Sequence, residues 1–168
     1  MHKLIEHVID EINARQLAGL ALAGTLAVAQ PNVVKAQSPT QHQTQQSHYN
    51  QIVAEVIAGE GAGEGEEGMR AIACVIQNRG GNPVNVVTAP HQFSAYEDKA
   101  LMKRNYAEVK PIADKLASEI GHLQDITNGA NHYVTKKLYD AKRNHPNFWT
   151  NKMKVTKIIG NHVFLKGR

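Results

Sequence analysis

Aromatic residues make up only 5% of the 168-residue chain, and cysteine occurs once, as Cys74. With so few aromatics the core has to be built mainly from Ile, Val, Leu and Ala. A single cysteine excludes a disulfide within the chain and leaves the redox compartment unread. Cys74 stands among Ala71, Ile72, Ala73, Val75 and Ile76, a setting for a small buried apolar group rather than a nucleophile. No Gly-x-Ser-x-Gly is present, so a serine hydrolase is not indicated. The nine histidines include no His-Glu-x-x-His and no Cys/His cluster with ligand spacing, so no metal and no other cofactor is expected. The acidic stretch near residue 64 lacks the alternation of an EF-hand. No basic recognition helix or aromatic sheet motif is evident, so nucleic acid is not an expected partner.

A membrane-length apolar run is missing as well. Leu17 to Ala29 is uncharged, but a spanning helix needs about 20 residues. The run matches the apolar part of a signal peptide, with Ala27-Val28-Ala29 as a small-x-small cleavage site. The segment before it lacks the usual positive excess, since Lys3 and Arg15 face Glu6, Asp10 and Glu11. A releasable membrane anchor and a docking helix for a partner such as a virion protein are the competing readings. Ahead of the run, Leu4, Ile5, Val8, Ile9 and Ile12 fall on one face of an amphipathic helix. Residues 1–36 therefore read as a targeting or docking segment, implying export to the envelope or periplasm, or delivery there from a phage. Residues 37–48 are polar and Gln-rich and read as a linker. Residues 49–168 read as the working domain.

What is present begins with charge. The net charge is +4, unevenly spread. Residues 55–67 hold five glutamates and no basic residue, whereas residues 136–168 hold nine Lys or Arg against one acid, Asp140. A basic tail beside an acidic site suits an anionic polymer; a solvated surface is the plain alternative.

Within the domain, apolar spacing predicts a helix over Tyr49 to Glu60 and a second over Glu66 to Arg79, the latter with Met69, Ile72, Ala73, Val75 and Ile76 inward. Gly80-Gly81-Asn82-Pro83 ends it. Residues 84–94 read as a loop. A third helix, Lys99 to Ile120, carries an inward stripe of Met102, Tyr106, Val109, Ala113, Leu116 and Ile120, kinked or divided at Pro111 and stopped at Gly121. Strand-like runs occupy residues 131–134 and 155–165, the second turning at Gly160-Asn161. The class is α+β, mostly helical with a small β element.

The chemistry concentrates where the first helix runs into Glu60-Gly61-Ala62-Gly63-Glu64. A carboxyl at a helix end, against apolar neighbours and at the lip of a glycine-rich loop, is partly removed from water. That disfavours the charged form and suits a proton donor at neutral pH, as glycosidic-bond cleavage needs. Gly63 to Gly68 also fits the spacing of a dinucleotide-binding loop. Three glutamates there would repel a pyrophosphate, and no βαβ unit surrounds them.

Six blocks occur in order: Glu60 to Glu64; Glu67-Gly68; Ala71 to Arg79; Pro90-His91-Gln92-Phe93-Ser94; Asp125 to Tyr133; and Ile159 to Phe164. Together they resemble the SleB-type cell-wall hydrolase family, named for spore-cortex-lytic enzymes and also found in phage-borne lysins. The resemblance spans about residues 50–165. It implies a lysozyme-like domain of the lytic transglycosylase kind acting on peptidoglycan, with Glu60 as catalytic acid. It further implies that Gln92, Phe93 and Ser94 border the sugar groove and that Thr127, Gly129, Ala130 and Tyr133 line it. Glu64 matches the motif's second glutamate, with groove hydrogen bonding, loop structure and catalytic assistance all open. Gly61 stands where the family usually has alanine, and Gly65 where proline is common, which implies a looser site. A water-using muramidase, with Glu64 or Asp125 as second carboxylate, and a non-catalytic glycan-binding structural or virion protein are the alternative readings.

Overall fold

The computed structural model describes residues 39–167, with side chains from Ser47 onward. All of these belong to one compact unit, Gln37–Arg168. The amphipathic segment and the apolar run expected within residues 1–36 lie outside the described residues. No described helix is long and apolar enough to cross a membrane.

The first helix, α1, runs Pro39–Gly61 and so begins ten residues before Tyr49. The Gln-rich stretch is therefore helical from Pro39 rather than an irregular linker. Gln loses little rotamer freedom in a helix, and proline's fixed φ suits a first turn, so a polar segment joined to a packed helix extends it. From Val53 the helix buries Val53, Ala54, Val56, Ile57 and Ala58. A short 3-10 turn, Ala62–Glu64, leads into α2, Gly65–Arg79. Here the expected inward residues are buried, together with Cys74. Burial pushes the Cys74 thiol above its ordinary range, consistent with an inert packing group.

The stretch from 84 to 94 is more ordered than expected. Asn82 caps α3, Pro83–Thr88, by accepting from Val84 N, with proline in the first turn. One turn of helix, α4, follows at Ser94–Glu97. The long helix α5 spans Lys99–Ser118 and starts on Asp98, whose side chain accepts from Leu101 N. Val109 leaves helical geometry (φ −121°, ψ 16°) two residues before Pro111. Proline lacks an amide hydrogen and crowds the carbonyl one turn back, which accounts for the kink. Met102, Tyr106, Ala113 and Leu116 from the expected stripe are buried, and Val109, Ile112 and Ile120 pack at its margin.

The C-terminal part forms a three-stranded antiparallel sheet in the order β1-β3-β2, with β1 His132–Thr135, β2 Met153–Ile159 and β3 His162–Gly167. Gly160, at φ 52°, makes the β2–β3 turn. A short helix, α6 Lys136–Lys142, follows β1 directly; seven residues are too few for an apolar period to announce it. One sheet face joins the helical core through Phe164 and Ile159. The other carries a separate small cluster of Val134, Val163 and Leu165.

Gly61 is not a loosening. A Cβ there would lie 2.8 Å from Met69 Cα and 2.9 Å from Met69 N, against backbone that cannot turn aside. The glycine lets the end of α1 sit on the start of α2. Restoring the family's alanine by Gly61→Ala should therefore destabilise the fold, by roughly 1–3 kcal/mol as for other overpacked sites. Urea denaturation measures it; an unchanged or higher midpoint would show that the two helices have room to spare.

Candidate active site

Glu60 occupies the last turn of α1 and is half-buried. Its Oε1 accepts from Ala95 N at 2.6 Å and from Ser94 Oγ at 3.1 Å, and Ser94 Oγ also lies 3.3 Å from Oε2. Both donors belong to the first turn of α4. Gly59 makes their approach possible, because a Cβ on it would meet Ala95 Cβ at 2.5 Å. From the opposite element, β1, the Tyr133 phenol faces Glu60 closely enough to feel its charge. Burial first, then the nearby charge of Glu60, hold the Tyr133 phenol well above its ordinary range. It stays a donor at any ordinary pH. The carboxylate is thus oriented by a backbone amide and a serine from one element remote in sequence, with the Tyr133 phenol beside it from another.

Tyr133 is fixed by rings on three sides. Phe93 lies 6.2 Å away, Phe164 6.1 Å, and His162 approaches edge-on at 5.4 Å. Arg79, at the end of α2, stacks its guanidinium 4.8 Å over Phe93 and donates from Nε to Asn131 O at 2.8 Å, just ahead of β1. Its neighbour Asn78 donates to Ala130 O at 2.9 Å and to Asp125 Oδ2 at 3.2 Å. The end of α2 therefore holds the loop that delivers Tyr133.

Glu64 has its own partners. Its Oε2 accepts from Asn161 N at 2.9 Å, in the β2–β3 turn, and its Oε1 lies 4.0 Å from His162 Nδ1. His162 is buried. Burial lowers its pKa below the ordinary histidine value, against the opposing pull of Glu64 and Glu60. Both glutamates of the motif thus act on one imidazole. Asp125 is more fully engaged: Oδ1 accepts from Thr127 N and Thr127 Oγ1 at 2.7 and 2.6 Å, and Oδ2 accepts from Gly129 N at 2.6 Å as well as from Asn78. Burial alone would raise its pKa, but the bonds from Thr127, Gly129 and Asn78 outweigh it and hold the carboxyl below the usual range.

The sequence-derived groove residues divide by burial. Gln92 and Ser94 are exposed, and Glu64, Gly129 and Tyr133 are half-buried. Phe93, Thr127 and Ala130 are buried, with Thr127 and Ala130 fully so. The side chains of these three are closed off from solvent in this geometry. Phe93 backs Tyr133, Thr127 is consumed by Asp125, and the Ala130 carbonyl takes Asn78. Ala95 N, Asn78, Arg79 and His162 were missed as site components. Each lay inside or beside a quoted block, but an amide donor or a tertiary clamp has no sequence signature.

A helical domain with a small sheet, and a carboxylate held open where the two meet, is the architecture of a glycosidic-bond-cleaving enzyme. The chain belongs to the cell wall hydrolase family, whose model matches residues 63–165. That match takes in Glu64 and every later block and begins just after Glu60. Among solved structures, the chain is similar to the catalytic domain of the germination-specific lytic transglycosylase SleB from Bacillus anthracis, at 27% identity and a TM-score of 0.53, over 70% of this chain and 93% of that one. It also shares its fold with the catalytic domain of the Bacillus cereus SleB protein, at 24% identity and a TM-score of 0.52, over 83% of this chain and all of the other. No curated protein gives a significant match.

Proposed function

We propose that this protein cuts the peptidoglycan glycan strand between N-acetylmuramic acid and N-acetylglucosamine as a lytic transglycosylase, with Glu60 as acid and then base. The observation that carries this is the contrast among the three carboxylates. Glu60 is oriented by Ala95 N and Ser94 Oγ at a half-open position, with the Tyr133 phenol beside it. Glu64 and Asp125 are tied to turn and loop amides. A retaining or inverting hydrolase ordinarily needs a second carboxylate free to act as nucleophile or to activate water. One carboxyl suffices when the substrate supplies its own nucleophile.

The steps balance without water. Protonated Glu60 donates to the glycosidic oxygen, the bond from C1 to that oxygen breaks, and positive charge develops on the muramyl ring. The muramyl 6-hydroxyl then bonds to C1 while its proton passes to the Glu60 carboxylate, which restores the acid. Ser94 Oγ and Ala95 N keep the carboxyl aimed through both transfers. The lytic transglycosylase named among the structural neighbours supports this reading. Since the wall is the substrate, the site of action is outside the cytoplasm, reached by export or by phage delivery.

Mass spectrometry of digested walls tests it. The expected products end in 1,6-anhydromuramic acid, one water lighter than a hydrolytic end. Reducing muramyl ends carrying labelled oxygen from solvent water would make the enzyme a muramidase instead.

A further inference from the structure

On β3, residues 162, 164 and 166 share one sheet face. His162 and Phe164 on that face surround Tyr133. Lys166 comes next, and Lys154 of β2 is its direct cross-strand partner. Two lysines thus stand at directly opposed positions of an antiparallel pair, and like charges so placed cost stability unless an anion offsets them. Both lysines are exposed, and among the described residues neither forms an ion pair with a carboxylate. Lys166 is also placed, because its chain lies across Gly129: Nζ is 3.1 Å from where a Cβ on that glycine would sit. The glycine, at φ 80°, leaves the space that Lys166 fills. The pair therefore borders the loop that leads into Tyr133.

Two residues along a strand is a rise of roughly 7 Å, so Lys166, with Lys154 across from it, lies just beyond the ring cluster next to Glu60. Alternate sugars of the strand bear peptide stems with free carboxylates. We propose that Lys154 and Lys166 form a carboxylate-recognition site that engages a peptide stem on a muramic acid adjoining the cleavage point, making peptide-bearing strands the preferred substrate. This rests on the function proposed above and adds what the enzyme selects for. Each lysine contributes a charge-assisted contact to the same anionic group, and such a contact weakens with salt.

The test uses the full chain with Glu60→Gln, so that binding is read without cleavage, and walls freed of phosphate polymers. One portion of wall has its carboxylates coupled to a neutral amine. Co-sedimentation should show the Lys154→Gln, Lys166→Gln double variant binding native walls roughly tenfold more weakly than its parent, a loss of about 1.4 kcal/mol. On the neutralised walls the two should bind alike, and raised salt should erase the difference on native walls. Equal binding of the two proteins to native walls would overturn the proposal, as would an equal loss on both wall types. In the Glu60 background, native walls cut by the wild type and by no variant keep the function reading intact whatever the lysines do. Walls left uncut by the wild type would refute that reading and leave the binding comparison interpretable by itself.

Discussion

Glu60→Gln should leave purified peptidoglycan uncut while the protein stays folded. The amide is nearly isosteric with the carboxyl, and its oxygen can still accept from Ala95 N and Ser94 Oγ. Secondary structure and denaturation midpoint should therefore match the wild type. What the amide cannot do is give up a proton to the glycosidic oxygen. Positioned acid–base groups contribute on the order of 10²–10⁴ in rate, and in the proposed mechanism one group performs both transfers. Lysis should fall at least that far. Glu64→Gln should be far milder, because an amide oxygen can replace Oε2 as acceptor for Asn161 N. The comparison matters because the family match begins at residue 63, beyond Glu60. Near wild-type lysis by the Glu60 variant would remove it as the acid. Equal inactivity of both variants would indicate a hydrolase with two working carboxylates.

How much of this could be read from the chain depends on the range of the interaction involved. Helices α2 and α5 were legible because apolar residues recur at 3.6-residue spacing over four or five turns, and Pro111 and Gly80 carry their effects in their own covalent structure. Helix α6 was not legible: seven residues bury nothing completely, and its hold comes from Thr135, which accepts from Leu138 N and so caps it. The start of α1 is not legible from polarity, because a polar Gln-rich stretch carries no apolar period and yet propagates a helix that is anchored elsewhere. At the site, Glu60 was legible as a carboxyl where an apolar helix meets glycines. Its donors were not, since Ala95 N is 35 positions away and an amide is the same in every residue. Gly61 shows the opposite error. A glycine in place of alanine reads as flexibility along the chain, but in three dimensions it is a close contact with Met69.

Asp125→Asn should damage the fold and the activity together. Each oxygen of Asp125 receives donors on its own side: two from Thr127 on Oδ1, and Gly129 N with Asn78 on Oδ2. An amide has one oxygen, so whichever way it turns, its NH2 faces a backbone N–H, that of Thr127 or that of Gly129, from which it cannot accept. Thr127 is fully buried, and an orphaned donor there costs roughly 1–3 kcal/mol. The loss should appear as a lower urea midpoint. It should also depend on pH with a definite sign. The folded carboxyl is held below its ordinary range, so the unfolded chain takes up the proton first as pH falls. The stabilisation is complete above the ordinary carboxylate range and disappears as pH drops through the lowered folded value. The gap between wild type and variant should therefore be widest near neutrality and close in acid. Activity should fall along with stability, because residues 125–131 set the register in which β1 brings Tyr133 to Glu60, and cooling should restore part of it. A variant with an unchanged midpoint and no lysis would mean something else: Asp125 would be needed as a charge at the sugar, and the enzyme would be a water-using muramidase with two carboxylates.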